Sequence, residues 1–229
     1  MDKVIRIAID GPAAAGKSTV AKKVASLLSF TYIDTGAMYR AFTYAVIKKG
    51  LDPKNEAQSC TLIPGMEIDL QEDGTVICNG DDVTKAIREP LVSGNVSYIA
   101  SYKEIRLALV DMQRKLASRK SVVMDGRDIG TYVLPEAEVK VFQIASVETR
   151  AVRRYEENLA KGIPTSLKEV EEDVRKRDFI DSHRDFAPLK PANDSVLIDT
   201  SYLNVDQAVA AVLKVIKEKT GIEVPHICH

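Results

Sequence analysis

Short apolar segments alternate along the chain with segments in which apolar residues recur at helical spacing. The first apolar segment covers residues 4–10, and helical spacing then runs from Gly16 to Leu28. Further strands are predicted at 122–125, 139–145 and 196–199, the last two followed by helices that begin at Ser146 and near Asn204. Because these strands are almost uninterrupted apolar runs, both of their faces are expected to be buried. The pattern predicts an α/β fold with a mostly parallel sheet covered by helices on both sides.

Residues 66–79 depart from this alternation and predict a β-hairpin. Two short segments of strand character flank Asp73-Gly74, a dipeptide that tolerates positive φ in a tight hairpin turn. The helical pattern resumes near Leu91. We therefore expect a small antiparallel insertion at about 60–92 within a single domain that covers residues 1–229.

Residues 146–190 carry acidic and basic side chains in equal number. Ser166 and Glu169 have the spacing of a capping box, which predicts two charged helices joined by a hinged turn around Gly162. Solvated helix faces are the simplest explanation of such charge. The clustering of arginines argues instead for a lid at about 150–184 that closes on anionic ligands.

Charge and hydropathy exclude several classes of protein. Among 229 residues, 32 are Lys or Arg and 33 are Asp or Glu, so the net charge of −1 gives no field that would attract nucleic acid or anionic lipid. The longest apolar run, residues 208–213, is far below the ~20 residues that span a bilayer. No secretory leader pattern precedes the first strand, so a cytosolic protein is predicted.

The cysteine and histidine side chains give no indication of a metal site. Cys60, Cys78 and Cys228 share no close spacing, which argues against a disulfide framework and predicts reduced thiols. His226, Cys228 and His229 are interpreted as a frayed tail and not as a metal clip.

The strongest motif lies between the first predicted strand and the helix that follows it. Residues 11–18 match GxxxxGK[ST], in which two glycines allow successive N–H groups to point toward one anion at a helix N-terminus. This loop is predicted to bind the phosphates of ATP through Gly11, Pro12, Ala13, Ala14, Ala15, Gly16, Lys17, Ser18 and Thr19.

Side chains of the motif have predicted roles of their own. Lys17 is expected to reach the β- and γ-phosphates, and Thr19 to bind the α-phosphate. The hydroxyl of Ser18 is expected to ligate Mg²⁺. Asp125 ends a predicted strand and is expected to hold the same Mg²⁺, directly or through water; a structural cap is the alternative.

The remaining motifs distinguish between classes of P-loop protein. A GTPase requires an NKxD-type guanine-binding tetrapeptide, and residues 191–194, the nearest candidate, do not match it. ATPase motors usually have a longer core and an acidic pair at the end of a strand. This chain instead continues from Asp125 through Gly126 and Arg127 to Asp128, which indicates a second phosphate bound close to the metal. Two phosphates that meet in one site predict transfer between them.

Four motifs follow one another along the chain, at 11–19 (GPAAAGKST), 32–40 (YIDTGAMYR), 124–131 (MDGRDIGT) and 177–184 (RDFIDSHR) with 187–192 (APLKPA). Together they resemble the bacterial-type cytidylate kinases, a family of P-loop nucleoside monophosphate kinases, over nearly the whole chain. The resemblance implies a P-loop NTPase-like parallel sheet with flanking helices, an antiparallel insertion over the monophosphate site and a helical lid over ATP. The hairpin predicted at 66–79 fits that insertion.

The resemblance also implies where the acceptor phosphate binds. Thr35 and Arg40 would hold it together with Arg127. Arginine suits this role because its planar guanidinium binds phosphate through two hydrogen bonds and keeps its charge. For Arg40, the alternative is an ordinary exposed residue on a helix.

Recognition of cytosine requires an acceptor for its exocyclic amine and donors for N3 and O2. Ser97, Arg106 and Asp128 supply this set if the family assignment carries over, with Gly126 beside them. Uracil presents a carbonyl in place of the amine and would leave buried groups unpaired, so a preference for cytosine is expected. On residue chemistry alone, Ser97 and Arg106 would equally suit ordinary helix positions.

Arg177, Asp181 and Arg184 share one helical face because they are spaced by four and three residues. By the resemblance, Arg177 and Asp181 lie near the pentose, and Arg184 lies near the base or the phosphates. A simple salt bridge between Arg177 and Asp181 is the alternative.

The acceptor oxygen of a nucleoside monophosphate is already anionic, so no strong general base is required. Catalysis then depends on alignment and on neutralisation of negative charge. The residues expected to stabilise the transferring group are Lys17, Arg127 and the lid arginines Arg150, Arg154 and Arg177.

The sequence therefore predicts an ATP- and Mg²⁺-dependent kinase that phosphorylates CMP or dCMP to the diphosphate and releases ADP. A kinase for another small acceptor, such as UMP or a non-nucleotide, is the nearest alternative. A nucleotide-dependent switch that binds a partner is the second. The sequence indicates neither nucleic-acid nor protein partners, and a monomer is the expected state.

Overall fold

Five parallel strands form the central sheet of the computed structural model, which describes residues 4–223. The elements follow in the order β1 (Arg6–Asp10), α1 (Lys17–Leu28), β2 (Thr31–Asp34), α2 (Thr35–Lys48), α3 (Glu56–Cys60), β3 (Ile68–Leu70), β4 (Val76–Cys78), β5 (Asp81–Asp82), α4 (Pro90–Ile99), α5 (Lys103–Leu116), β6 (Val122–Gly126), β7 (Val139–Ile144), α6 (Val147–Ala160), α7 (Leu167–His183), β8 (Val196–Asp199) and α8 (Val205–Thr220). A 3-10 turn at Ala86–Arg88 precedes α4, and a π-helical turn at Ile129–Val133, called here the 129–133 turn, follows β6.

The strand order β2-β6-β1-β7-β8 places β1 at the centre of the sheet. All four pairings are parallel, and Asp10 lies opposite Gly126 on one side and Phe142 on the other. The predicted α/β fold is therefore confirmed. Because every strand runs the same way, the loops at their carboxyl ends converge at one edge, where ligands bind in open α/β sheets.

Alternate residues of β1 enter different layers of the core. Ile7 and Ile9 pack with α1 and α8 on one face, whereas Ala8 faces the layer that contains α5 and the 129–133 turn. All three side chains are fully buried. Burial on both faces explains why the strand is continuously apolar and does not alternate.

The predicted hairpin is present as part of a separate antiparallel sheet, β3-β4-β5. Gly74 has φ of 91°, as the Asp-Gly turn requires. The third strand, β5, is a two-residue pairing that the sequence pattern did not predict. Val76 and Cys78 pack against Phe42 of α2 and anchor this sheet to the rest of the molecule.

Helices α6 and α7 form an antiparallel pair after β7. Ser146 caps α6, and Ser166 with Glu169 forms the predicted capping box of α7. A small apolar cluster that includes Ala151 and Val174 joins the two helices. Gly162 lies in the connection with φ of 68°, the left-handed conformation that glycine adopts without strain.

Two sequence predictions concern the ends of the chain. Residues 1–3 and the tail with His226, Cys228 and His229 lie outside the described residues.

In the described part of the chain, no helix is both long and apolar enough to cross a membrane. Cys60 and Cys78 are free thiols, as predicted.

Candidate active site

A cleft of about 770 Å³ opens at the carboxyl edge of the parallel sheet. The loops after β1, β2, β6 and β8 form its floor, and its sides include residues of helices α1, α2, α4, α5, α6, α7 and α8. Most of the predicted site residues line it: Ala14, Ala15, Gly16, Lys17, Ser18, Thr19, Thr35, Arg40, Ser97, Arg106, Asp125, Gly126, Arg127, Asp128, Arg154, Arg177, Asp181 and Arg184. Gly11, Pro12, Ala13 and Arg150 are not part of the lining.

The loop between β1 and α1 depends on its glycines. Gly11 has φ of 151°, and a Cβ on it would lie 2.0 Å from the backbone oxygen of Gln143. Gly16 is the left-handed N-cap of α1, with φ of 85°. No side chain caps the first turn of α1, so its N–H groups and its dipole are directed toward the cleft. This is an anion-binding loop of the P-loop type.

Lys17 lies in this loop and is almost fully buried, and its Nζ donates to the carbonyl oxygen of Pro12 at 2.7 Å. Burial and the nearby charge of Arg127 lower the pKa of Lys17 to about 7. A phosphate would offset both effects because it supplies negative charge in place of a neutral carbonyl. The loop is therefore arranged to bind an anion.

Arg177 is a second cationic side chain of the cleft that lies close to other positive charges. Burial, followed by the charges of Arg154 and Arg127, lowers the pKa of Arg177 to about 10. Its nearest acidic neighbour is Asp173, at 4.0 Å, and its Nε has no hydrogen-bond partner in the part of the chain described. Arginines that repel one another in a concave site are typical of phosphate binding.

Ser18 and Asp125 meet at the floor of the cleft. The Ser18 hydroxyl donates to Asp125 Oδ2 at 2.8 Å, and the Tyr32 hydroxyl donates to Asp125 Oδ1 at 2.7 Å. Burial and the charge of Asp34 raise the pKa of Asp125, so a cation beside this carboxylate would stabilise its charged form. Oxygen donors next to a phosphate loop are the set that Mg²⁺ prefers, and these residues fit such an ion.

The rest of the described chain is consistent with a metal bound jointly by protein and nucleotide. Within residues 4–223, no group of three His, Cys, Asp or Glu side chains is placed to hold a metal by itself. Mg²⁺ in nucleotide sites is commonly held by one or two protein oxygens and the substrate phosphates. Ser18 and Asp125 provide that number.

Arg40 and Arg88 converge on the carboxylate of Asp34 at the end of β2. Their Nη2 atoms lie 3.1 Å and 3.9 Å from Asp34 Oδ2. Thr35 is the first residue of α2, and its hydroxyl donates to the backbone oxygen of Asp125 at 2.7 Å. Two guanidinium groups therefore lie beside the N-terminus of α2, where the carboxylate of Asp34 pairs with both and caps the helix.

A buried polar cluster surrounds Asp128. Its Oδ2 accepts a hydrogen bond from Arg106 Nη2, and its Oδ1 lies 3.4 Å from Arg184 Nη2. All three side chains are almost fully buried, as is Ser97 of α4. Fully buried charges persist in proteins only when they are paired or have a function, because desolvation opposes them. The cluster places acceptor and donor groups side by side in the wall of the cleft.

Arg127 and Asp181 connect the end of β6 to α7. Arg127 Nε donates to Asp181 Oδ2 at 2.8 Å. Although burial opposes its charge, Arg127, Arg184 and Arg177 hold the pKa of Asp181 below its usual range. The alternative, a simple salt bridge between Arg177 and Asp181, is not present among the described residues: Asp181 pairs with Arg127, and Arg177 lies nearest to Asp173.

Two of the predicted lid arginines, Arg150 and Arg154, lie in different environments. Arg154 lines the cleft, and its Nη1 pairs with Glu157 at 3.0 Å. Arg150 lies behind the phosphate loop, where its guanidinium donates to the oxygens of Ala13 and Ala145 and pairs with Asp178 at 2.7 Å. The sequence grouped the two arginines by their charge, but only Arg154 faces the cleft.

Some residues of the site carry no signal that the sequence analysis used. Arg88 belongs to the inserted region and reaches the cleft only through tertiary packing. Gln143 is a fully buried polar residue of β7, and its Nε2 donates to Ala15 O at 2.6 Å. The presence of a glutamine within an otherwise apolar strand could have identified Gln143 as a candidate site residue. Asp10 immediately precedes the motif at 11–19 and Tyr32 begins the motif at 32–40, but spacing alone does not indicate their partners.

Comparisons with known proteins agree on one family. The family model described as cytidylate kinase matches residues 7–218. A cytidylate kinase from Anoxybacillus flavithermus is 50% identical over 222 residues, which are 96% of this chain and 99% of that protein. A cytidylate kinase from Oceanobacillus iheyensis is 51% identical over 216 residues, which are 93% of this chain and 94% of that one.

A solved structure shares the fold at low sequence identity. The crystal structure of an uncharacterized protein from Eubacterium ventriosum has a TM-score of 0.54 and 16% identity, and the match covers 94% of this chain and 99% of that one. This likeness concerns the arrangement of helices and strands alone.

Proposed function

The chain belongs to the cytidylate kinase family, and from this premise we propose how its cleft transfers the γ-phosphate of ATP to CMP or dCMP to give CDP or dCDP and ADP. The observation that carries the proposal is that two separate groups of cationic side chains line one cleft. One is the phosphate loop with Lys17, and the other is the pair Arg40 and Arg88. A kinase that joins two phosphorylated substrates requires both.

The donor binds at the phosphate loop. The free N–H groups at the start of α1 and the ammonium of Lys17 bind the phosphates of ATP. Lys17 gives up its contact with Pro12 for a phosphate oxygen and is fully charged in the complex. Ser18 and Asp125 would hold Mg²⁺, which neutralises phosphate charge when bound.

The acceptor phosphate binds on the opposite side of Asp125. Arg40, Arg88 and Thr35 hold it, and Arg127 completes the set from the end of β6. Asp34 keeps Arg40 and Arg88 in place before the acceptor arrives. No general base is required, because the attacking phosphate oxygen is already ionised near neutral pH.

Asp128 is proposed to recognise the cytosine amine. Arg106 and Arg184 hold its carboxylate, and Arg106 and Ser97 supply hydrogen-bonding groups to the remaining edge of the base. Gly126 lies between this base site and the phosphate site, in strand β6. Uracil would direct a carbonyl oxygen at a carboxylate, so the pocket favours CMP.

Charge on the transferring group is stabilised by Lys17, Arg127, Arg177 and Arg154. Arg150 acts differently in this proposal. Its bonds to Ala13 O and Ala145 O make it a positioning residue that holds the loop from behind. Asp181 fixes Arg127 and lies with Arg177 on the side of α7 that borders the pentose.

The proposal treats residues 1–229 as one kinase domain with an acceptor-binding insertion at about 60–92 and a lid at about 150–184. Arg88 supports the first assignment, because it brings a cleft arginine from the insertion. Arg154 and Arg177 support the second. We also propose that the enzyme acts as a monomer, because a single chain supplies the proposed groups of the cleft. A location in the cytosol remains the prediction of the sequence.

A coupled assay of ADP release with a panel of acceptors tests the proposed function. We expect the highest kcat/KM with CMP and dCMP, a much lower value with UMP, and almost no ADP release without an acceptor. Equal rates with all pyrimidine and purine monophosphates would contradict the role of Asp128. Acceptor-independent hydrolysis of ATP would contradict the proposed function as a whole.

A further inference from the structure

The 129–133 turn begins directly after Asp128, in the position where a helical turn usually takes its N-cap. Asp is among the preferred N-cap residues because its carboxylate accepts hydrogen bonds from the first free N–H groups. Asp128 makes no such bond. Its carboxylate is committed to Arg106 and Arg184, on the side that faces the cleft.

Another carboxylate caps the turn from a different part of the chain. Asp10 Oδ1 accepts from Ile129 N at 2.8 Å, and Asp10 Oδ2 accepts from Gly130 N at 2.7 Å. These are the first two N–H groups after Asp128. Asp10 is the last residue of β1 and only 4% exposed, and it stands immediately before Gly11 of the phosphate loop.

Gly130 lies close beside this carboxylate. A Cβ at Gly130 would lie 3.4 Å from Asp10 Oδ2 and 3.1 Å from Cδ of Lys140. A methyl group at this position would therefore be in ordinary contact with Asp10 and would press chiefly on the flexible side chain of Lys140. The contact is compact, and both carboxylate oxygens of Asp10 are used.

We propose that Asp10 is a positioning residue that caps the 129–133 turn in place of Asp128, and so leaves the Asp128 carboxylate free to bind the cytosine of the acceptor. The proposal rests on the proposed function of Asp128. Without Asp10, two buried N–H groups would lose their acceptor, and in this proposal the carboxylate in the N-cap position, that of Asp128, turns to replace it. Rotation of Asp128 toward the turn would break its bond with Arg106 and withdraw it from the base.

A purely structural role for Asp10 makes different predictions. A residue that only stabilises the turn would affect the melting temperature and the rates with all acceptors alike. A residue that acts through Asp128 affects the preference for CMP over UMP. It also loses this effect when Asp128 has already been replaced.

The test is Asp10→Asn, in which one acceptor oxygen becomes an NH₂ group that cannot accept a hydrogen bond. We expect the KM for CMP to rise about tenfold and the ratio of kcat/KM for CMP over UMP to fall by a similar factor, the loss expected for one charge-assisted hydrogen bond. The dissociation constant for ATP should change less than the KM for CMP. In an Asp128→Ala background, Asp10→Asn should cause little further change in that ratio.

Glu138→Gln is the matched control. Glu138 Oε2 accepts from Arg6 N at 2.9 Å at the opposite end of β1, far from the cleft. It should leave the CMP to UMP ratio unchanged. If Asp10→Asn does not fold, Asp10→Ser decides the question, because serine keeps one acceptor oxygen and places no NH₂ group against the turn; a fall in the same ratio of a few-fold is expected.

Two results would overturn the proposal. One is a lower melting temperature of Asp10→Asn with an unchanged CMP to UMP ratio, or an unchanged ratio in Asp10→Ser where only that variant folds. The other is an effect of Asp10→Asn that is equally large with and without Asp128. Failure of the proposed function would look different, because the unmodified enzyme would then show no preference for CMP.

Discussion

The donor and acceptor halves of the cleft are built by different means. The phosphate loop is one continuous segment, and its ligands are mainly backbone N–H groups positioned by Gly11 and Gly16. The acceptor pocket is built from side chains of separate elements, namely Ser97 of α4, Arg106 of α5, Asp128 after β6 and Arg184 after α7. A continuous loop identifies a phosphate, whereas a distributed pocket identifies a particular nucleotide.

Loss of the one essential side chain on the donor side should have the largest effect. Lys17→Ala removes a buried charge next to the transferring phosphate, and kcat/KM should fall by on the order of 10³. Steady-state kinetics measure this, with circular dichroism to show that the variant is folded. A folded variant with activity within a few-fold of the unmodified enzyme would show that the loop does not bind the reacting phosphate.

On the acceptor side, Asp128→Ala should reduce specificity more than it reduces ATP binding. The ratio of kcat/KM for CMP over UMP should fall by on the order of 10², because the amine of cytosine loses its acceptor. Both acceptors are assayed at a saturating ATP concentration. An unchanged ratio would move cytosine recognition to another residue, with Asp181 the first to examine.

The two lid arginines sharpen the comparison because they lie four residues apart on one helix. Arg150→Met should weaken ATP binding about tenfold and lower the melting temperature, because its hydrogen bond to Ala13 of the loop is lost together with its contacts to Ala145 and Asp178. Arg154→Met should lower kcat and leave the melting temperature almost unchanged. Thermal denaturation and nucleotide titration of both variants measure these effects. A lower kcat for Arg150→Met and a lower melting temperature for Arg154→Met would contradict this prediction and would indicate that Arg150 contacts the substrate.

The smallest expected effect is a dependence of ATP affinity on pH. The pKa of Lys17 is about 7 in the free enzyme, and a bound phosphate raises it, so ATP binding takes up protons from about pH 7 upward. ATP affinity should therefore fall by a few-fold as pH rises from 7 to 8. Calorimetric titration in two buffers of different ionisation enthalpy measures the uptake, and Lys17→Arg should abolish it. Proton release on binding would contradict the proposed contact.

The same contrast explains how much the sequence could predict. The parallel sheet, the hairpin and the helix starts at Ser146 and Ser166 follow from local pattern and capping, and the structure confirms them. The phosphate loop follows from one motif. The position of Arg150 behind the loop could not be predicted from the sequence, because the direction of an arginine side chain on a helix depends on the residues that pack around it.

The acceptor pocket was reached only through family resemblance. Residue chemistry alone left Ser97 and Arg106 as ordinary helix residues, because contacts between distant segments have no signature in spacing. For the same reason, nothing in the sequence linked Asp10 to Ile129, 119 residues away.

The central claim is that the phosphate loop and the arginine pocket together transfer one phosphoryl group between two bound nucleotides. Reaction of ATP labelled in its γ-phosphate with CMP, followed by separation of the products, tests it most directly. We predict that the label appears in the β-phosphate of CDP, in a one-to-one ratio with ADP, and that omission of CMP stops ADP formation. Label recovered as inorganic phosphate, at a rate that does not depend on CMP, would contradict the account.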